Sequence, residues 1–292
     1  LFSLPIDTVL VQGNIPQEFK WESSWSAETL NRYFSLSREH RDADFIVWPE
    51  SAIPMFIHQA EPIIEQLTKE RVRYQTDFLV GIPIYAFETK EAFNSALSLS
   101  ETPGIYDKRH LVPFGEYLPF RPVLQFMLDF LSIPMSDFTP GDTEQDLLRA
   151  AGQPIGMAIC YEIAYPAEVR RSLPEATILV NISNDAWFGD SIGPRQHLQI
   201  ARMRALESGR YVLRAANTGI SAIIDERGKI TERIEQFELA ALRTKVQPFE
   251  GATPYVRIGD WPIIALMFGL LLAAYFFMRR AVQSASKPSS NS

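Results

Sequence analysis

Three residues able to take part in covalent chemistry each stand at or just beyond the end of an apolar run. Glu50 follows the run 45–48 in Trp48-Pro49-Glu50-Ser51, Lys108 lies in the ionisable cluster Tyr106-Asp107-Lys108-Arg109-His110 beyond the run 95–99, and Cys160 ends the run 154–159. Cys160 is the only cysteine of the chain, so an internal disulfide is excluded and the thiol serves either packing or reactivity. A carboxylate near a thiol can take its proton, an ammonium can stabilise a thiolate and a developing oxyanion, and the sulfur can then attack an acyl carbon. That combination is acyl transfer through a thioester. Taken singly, each residue has a plainer reading: an exposed strand-end carboxylate for Glu50, a solvated cation for Lys108 and an inert buried thiol for Cys160. No single position decides between the two.

For the three to meet, rigid elements must carry them to one place. Apolar runs at 8–11, 45–48, 78–82, 95–99, 154–159, 178–181, 211–215 and 221–224 have the lengths and β-branched content of buried strands. Helical spacing lies between several of them, at 27–39 with Leu30, Tyr33, Phe34 and Leu36, at 57–72, and at 195–208 with Leu198, Ala201, Met203 and Ala205. Strands alternating with helices predict an α/β protein. Parallel strands of one sheet would deliver all three reactive residues to a single edge. Residues 223–230 read as a hairpin in which Gly228 supplies the positive φ of the turn. There is no internal repeat and no break in composition before Pro254, so 1–250 is expected to form one domain, with 251–260 as a linker.

The 292 residues, 46% hydrophobic and 12% aromatic, suit a globular protein, and the net charge of -7 argues against a nucleic-acid partner, which needs a basic face. Residues 261–278 hold no charge over about 18 positions, near the lower limit for crossing a bilayer. Aromatic residues at both ends and the lack of a polar stripe favour a transmembrane helix over a buried core helix. Arg279, Arg280 and Lys287 follow the segment and Asp260 precedes it. Positive flanks stay cytoplasmic, so the domain before the span is expected on the other side, which in a bacterium is the periplasm; 279–292 would be a disordered cytoplasmic tail. The chain opens at Leu1 with neither an initiator Met nor a basic stretch leading into a long apolar one, which predicts the C-terminal part of a longer membrane protein.

Residues 120–138 carry more large apolar side chains than a surface loop normally holds and read as a mobile, membrane-facing arm, with a core helix as the plainer alternative. His40, His58, His110 and His197 follow no metal-ligand spacing, so zinc is not expected. A Cys-His protease using His110 or His197 would need the local pattern of papain-type enzymes around its cysteine, and that pattern is missing.

Pro49-Glu50, the stretch Tyr106-Asp107-Lys108-Arg109-His110-Leu111-Val112-Pro113-Phe114-Gly115-Glu116-Tyr117, and Ile159-Cys160-Tyr161-Glu162 together resemble the nitrilase superfamily with its Glu-Lys-Cys triad. Asn181-Ile182-Ser183-Asn184-Asp185-Ala186-Trp187-Phe188-Gly189, Gly193-Pro194-Arg195-Gln196-His197, the stretches 11–17 and 201–207, and the terminal span are similar to its membrane-bound branch, which N-acylates apolipoproteins. The resemblance covers nearly the whole chain. It implies an αββα four-layer sandwich on the periplasmic side of the bacterial inner membrane, with several transmembrane helices upstream that this sequence does not contain. It also implies the reaction: Cys160 takes an acyl chain from the sn-1 ester of a phospholipid and passes it to the α-amino group of a lipoprotein's diacylglyceryl-cysteine, with no metal or organic cofactor.

By the same resemblance, Glu50 is the general base, Lys108 stabilises the oxyanion, Glu116 supports the lysine, and Glu162 is the acidic residue that follows the nucleophile in the acyltransferase branch. For Glu162 a carboxylate paired with an arginine is the plainer alternative. The N-H of Tyr161 is a second oxyanion donor, since the residue after a nucleophile on a sharp turn often points its amide into the site. Trp21 matches an aromatic position of the branch and is read as a gate for lipid or an interfacial anchor; Tyr117, Phe120 and Trp187 complete the expected lipid contacts. Several carboxylates around one thiol raise its pKa unless Lys108 offsets them. Superfamily members often dimerise through the helix holding Arg204 and Glu207, but membrane insertion would oppose that, and a monomer is expected. Two rival readings stay open: an amidase in which water resolves the thioester, and an inactive membrane-bound recognition domain.

Overall fold

The computed structural model describes residues 4–117 and 137–285. Of the expected arm only Asp137 and Phe138 are among them, so Phe120 and most of that segment lie outside the described residues, as does the tail 286–292.

The strands form because their apolar residues serve both faces. In β1 (Ile6–Gln12), Ile6 and Leu10 point to one side and Val9 and Val11 to the other; in β8 (Ile178–Ser183), Ile178, Val180 and Ile182 oppose Leu179. A strand buried on both faces reads as a continuous apolar run, which is why these runs are legible without alternation. One six-stranded sheet has the order β12 (Ala240–Val246), β1, β2 (Phe45–Val47), β3 (Asp77–Ala86), β4 (Glu91–Leu99), β5 (Gly104–Asp107). The other runs β11 (Ile230–Ile234), β10 (Ser221–Ile224), β9 (Val212–Ala216), β8, β7 (Gln153–Ile159), β6 (Leu148–Ala150). Within them β1, β2 and β3 are parallel to one another, as are β7, β8 and β9.

The sheets pack face to face around a core in which Leu10, Phe45 and Leu79 of the first meet Ile155, Val180 and Leu213 of the second. Helices α1 (Ser23–Arg38) and α2 (Glu61–Tyr74) cover the outer face of the first sheet through Tyr33, Phe34 and Leu67. Helix α3 (Gly193–Ser208) covers the second through Leu198, Ala201 and Ala205. The result is the expected four-layer αββα sandwich. The hairpin also forms as read, with Gly228 at φ 75 and its N–H donating to Asp225 O at 2.9 Å.

One expectation is corrected. The three reactive strand ends do not share a sheet: Glu50 follows β2 and Lys108 follows β5 of the first sheet, whereas Cys160 follows β7 of the second. Strand β5, a four-residue strand paired antiparallel to β4, stands between the run 95–99 and Lys108. The residues meet because the two sheets stack with the ends of these strands at a common rim, so convergence occurs across the core rather than along one edge.

After a short helix, α4 (Pro254–Ile258), the described residues end in α5 (Trp261–Ala285). The most apolar 18 residues within its stretch Trp261–Arg280 have a mean hydropathy of 2.1, and none of them is buried. The alternative of a buried core helix is therefore not met.

Candidate active site

Glu50 sits at the tight turn after β2, where Ser51 takes φ 48. Gly81 on the neighbouring β3 lets this turn approach: a Cβ there would come within 2.4 Å of Pro49 O and 2.7 Å of Glu50 Cα. The Glu50 carboxylate is buried and accepts from Asn94 Nδ2 at 2.7 Å through Oε1. The same Nδ2 donates to Glu116 Oε1 at 2.8 Å, so one amide on β4 bridges two carboxylates. Lys108, 1% exposed, lies between them, with Nζ 2.8 Å from Glu116 Oε1 and 3.5 Å from Glu50 Oε1. The other oxygen of Glu116 accepts from Val112 N at 2.8 Å. The plainer readings of Glu50 and Lys108 as solvated surface charges fail on burial alone. Asn94, central to the cluster, carries no signal in the sequence, because an asparagine in a strand names no partner.

Cys160 has a positive φ of 52, a costly conformation for a residue with a Cβ. Its carbonyl is held by Asn181 Nδ2 at 3.2 Å and His197 Nε2 at 3.0 Å, and Ser183 Oγ lies 3.4 Å from its sulfur. Asp185, Arg214 and His197 form a buried cluster behind it: Arg214 reaches Asp185 Oδ2 at 2.5 Å and His197 Nδ1 at 3.0 Å, and also donates to Asn181 Oδ1. Asp185 Oδ1 accepts from Ser183 Oγ at 2.6 Å. The signal for Arg214 was available, since a charge inside the apolar run 211–215 must find a buried partner. Asp185 and His197 stood in motifs whose role the spacing could not reveal.

Glu162 is fully buried just past the thiol. Its Oε1 accepts from the backbone amides of Arg109 at 2.6 Å and His110 at 3.1 Å, its Oε2 from that of Ile159 at 2.7 Å, and both lie near the Tyr106 hydroxyl. The alternative of a simple arginine pair is not realised, because the Arg109 guanidinium lies over the Tyr106 ring at 5.0 Å instead. Glu162 thus ties the Lys108 segment of one sheet to the Cys160 turn of the other. Around this centre Trp21, Tyr161 and Trp187 are exposed at 49%, 40% and 67%, and Tyr117 is half-buried.

Burial pushes the Cys160 thiol up to about 12, reinforced by Glu50 and Asp185 and opposed by Lys108 and Ser183. For Glu50 burial disfavours the charge, but Lys108, Lys20 and Asn94 outweigh it and hold the carboxyl below its ordinary value. Burial likewise opposes the Lys108 ammonium, yet Glu50, Cys160 and Glu116 raise it well above the usual lysine range. A permanently charged ammonium, an ionised carboxylate and a neutral thiol are the resting forms that nucleophilic acyl chemistry with proton transfer requires. Cys160, Asp185 and His197 offer donor atoms within 4.8 Å of one another. Both imidazole nitrogens and both Asp185 oxygens are already engaged within the protein, which fits a structural network better than a metal centre.

Residues 9–251 match the family described as carbon-nitrogen hydrolase. The chain is 48% identical over 281 residues to an apolipoprotein N-acyltransferase of Methylococcus capsulatus, covering 96% of this chain and 56% of that protein. It is 47% identical over 272 residues to the one from Nitrosomonas europaea, covering 92% and 54%. The chain thus spans about half the length of the curated relatives it matches. Among solved structures, a CN-hydrolase superfamily protein of Xanthomonas campestris, crystallised with an arsenic adduct in its active site, superposes with a TM-score of 0.63 at 17% identity, covering 91% of this chain and 97% of its own. A nitrilase-superfamily protein of Saccharomyces cerevisiae gives 0.63 at 18%, covering 85% and 92%. These two share the fold.

Proposed function

The chain belongs to the carbon-nitrogen hydrolase family, and from that premise we propose that it is the catalytic part of an apolipoprotein N-acyltransferase, which performs the last step of bacterial lipoprotein maturation. The observation that carries the reading is the buried cluster in which Asn94 and Lys108 hold Glu50 and Glu116 against the half-buried thiol of Cys160.

In this reading the Glu50 carboxylate takes the proton of Cys160, and the thiolate attacks the carbonyl carbon of a phospholipid sn-1 ester. The oxyanion that forms is stabilised by the Lys108 ammonium and by the amide of Tyr161, which follows the sharp turn at Cys160. Collapse breaks the C–O bond, Glu50 returns its proton to the departing glycerol oxygen, and a lysophospholipid leaves. The α-amino group of a diacylglyceryl-cysteine then attacks the thioester, Glu50 accepts the amine proton, and C–S cleavage releases the N-acylated lipoprotein and the thiolate, which Glu50 reprotonates. Glu116 keeps the lysine in place, and Glu162 holds the two halves of the site in register. Trp21, Tyr117 and Trp187 line the route of the lipid chains.

The exposed apolar helix α5 supports a membrane anchor, and Arg279 and Arg280 at the end of its apolar stretch favour a catalytic domain in the periplasm, on the outer side of the inner membrane. The partners are a phospholipid donor and a diacylated lipoprotein acceptor, and the protein acts as a monomer. The test is mass spectrometry on detergent-solubilised protein incubated with phospholipid. A gain of one acyl chain on Cys160, cleared by a diacylated lipopeptide and only slowly by water, supports the reading. Rapid clearance by water would point to an amidase, and no adduct to a binding module.

A further inference from the structure

A second buried ammonium stands beside this centre with no part in the reaction just described. Lys20 lies in the turn between β1 and α1, where Lys20 N donates to Gln17 O at 3.3 Å and Phe19 stacks on Trp25 at a ring separation of 4.3 Å. Trp21 turns outward from this loop while Lys20 turns in: it is 4% exposed, and Nζ donates to the backbone oxygen of Glu50 at 3.0 Å. A lysine is almost never buried without compensation, because removing its charge from water costs several kcal/mol. The compensation here is the site itself.

Formal charges show what the residue does. Glu50 and Glu116 carry two negative charges and Lys108 one positive charge; Lys20 brings the cluster to neutrality. Moving a proton from Cys160 to Glu50 shifts the negative charge onto sulfur without changing the sum. We propose that Lys20 is a second cation of the reactive centre, a positioning residue that fixes the Glu50 peptide and keeps the cluster neutral when Cys160 ionises. The proposal rests on the reading of Cys160 as the nucleophile. Burial draws the Lys20 ammonium down to about 8, with Glu50 and Cys160 opposing, so its charge is present at neutral pH and lost under mildly alkaline conditions. Lys108 and Asp185 face Glu50 and Cys160 as well, and Glu116 faces Lys108.

The test is the pH profile of Cys160 alkylation by iodoacetamide in the detergent-solubilised wild type, Lys20→Gln and Lys20→Arg, with acyl uptake from phospholipid vesicles followed on the same preparations. Glutamine keeps a donor for the Glu50 carbonyl and removes the charge. The expected result is alkylation slowed about tenfold at neutral pH in Lys20→Gln, the factor that one pKa unit makes, a profile that converges on wild type above about pH 8 where Lys20 loses its charge, and a return to the wild-type neutral-pH rate in Lys20→Arg. An unchanged neutral-pH rate in folded Lys20→Gln overturns the proposal, and Lys20→Met makes the same comparison if the glutamine variant does not fold. If the rate falls as expected but the wild type takes no acyl chain, the role of Lys20 stands and the lipid reading falls.

Discussion

The hydrogen bond between His197 and Cys160 runs from Nε2 to the carbonyl oxygen, at 3.0 Å, while Ser183 reaches the sulfur. A histidine acting as base toward the thiol would have to face the sulfur, which His197 does not, while His110 of the Cys-His protease reading pairs through Nδ1 with Glu168 at 3.0 Å. His197 instead secures the carbonyl of a residue whose φ is 52. Its Nδ1 lies 2.9 Å from Asp185 Oδ1 and 3.0 Å from Arg214, so the ring is held from both edges; burial, with Arg214 beside it, keeps the ring below its ordinary pKa.

His197→Ala is therefore expected to loosen the turn at Cys160. Leaving the Cys160 carbonyl and the Asp185–Arg214 pair short of a partner should cost about 1–3 kcal/mol, the range for an unsatisfied buried polar group. Denaturant unfolding should show that loss, together with slower formation of the acyl adduct. An unchanged adduct rate would remove His197 from any role in positioning the thiol.

Lys108→Met should abolish the adduct and also destabilise the fold, because Glu50 and Glu116 would share Asn94 with no cation between them. Breaking a buried ion pair from one side typically costs about 3–5 kcal/mol. The two carboxylates can recover part of that by binding a proton, so the deficit against wild type should shrink as the pH falls. Unfolding curves at two pH values check both statements.

Asp185 contributes a pH dependence of its own. Burial works against its charge, but Arg214, His197 and Ser183 prevail and hold the carboxyl well below its ordinary 3.8. A depressed folded pKa means stability that is fully present above the unfolded value and is lost as the pH falls through the folded one. Wild type should thus lose stability on acidification below pH 3.8 more steeply than Asp185→Asn. Parallel acid-unfolding curves would show that the pair with Arg214 adds nothing.

Gly81→Ala tests the approach of β3 to the Glu50 turn. The added methyl would meet Pro49 O at 2.4 Å, Ser51 N at 2.5 Å and Glu50 Cα at 2.7 Å, all backbone atoms that cannot rotate away. Displacing Glu50 by a fraction of an ångström should lower the rate of acyl-enzyme formation by about 10–100-fold, since misplacement of a reacting group by 1 Å can cost about 100-fold. Equal rates in the two proteins would show that the turn tolerates the shift.

Much of the fold was legible because its strands are buried on both faces and its helices carry one apolar stripe. Strands β5, β6 and β12 escaped: the first two are four and three residues long, and β12 lies at an edge with most of its residues only partly buried. The site was legible where a reactive group followed a strand, as at Glu50 and Cys160, and where a motif could be matched, as at Lys108, Glu116 and Glu162.

The chain by itself determined which groups can react and the alternation of strands and helices, because side-chain chemistry and local periodicity are properties of neighbouring residues. It also determined the one helix among the described residues that is apolar enough to cross a membrane. The tertiary structure decided that Glu50 and Lys108 approach Cys160 from the opposite sheet, that Asn94 joins two carboxylates, that Glu162 spans the sheets, and that Lys20 lies buried beneath Glu50. Those relations join residues far apart in sequence, as Asn94 and Glu50 are at 44 positions. A buried polar group must find its partner wherever packing places one, and no local pattern records where that is.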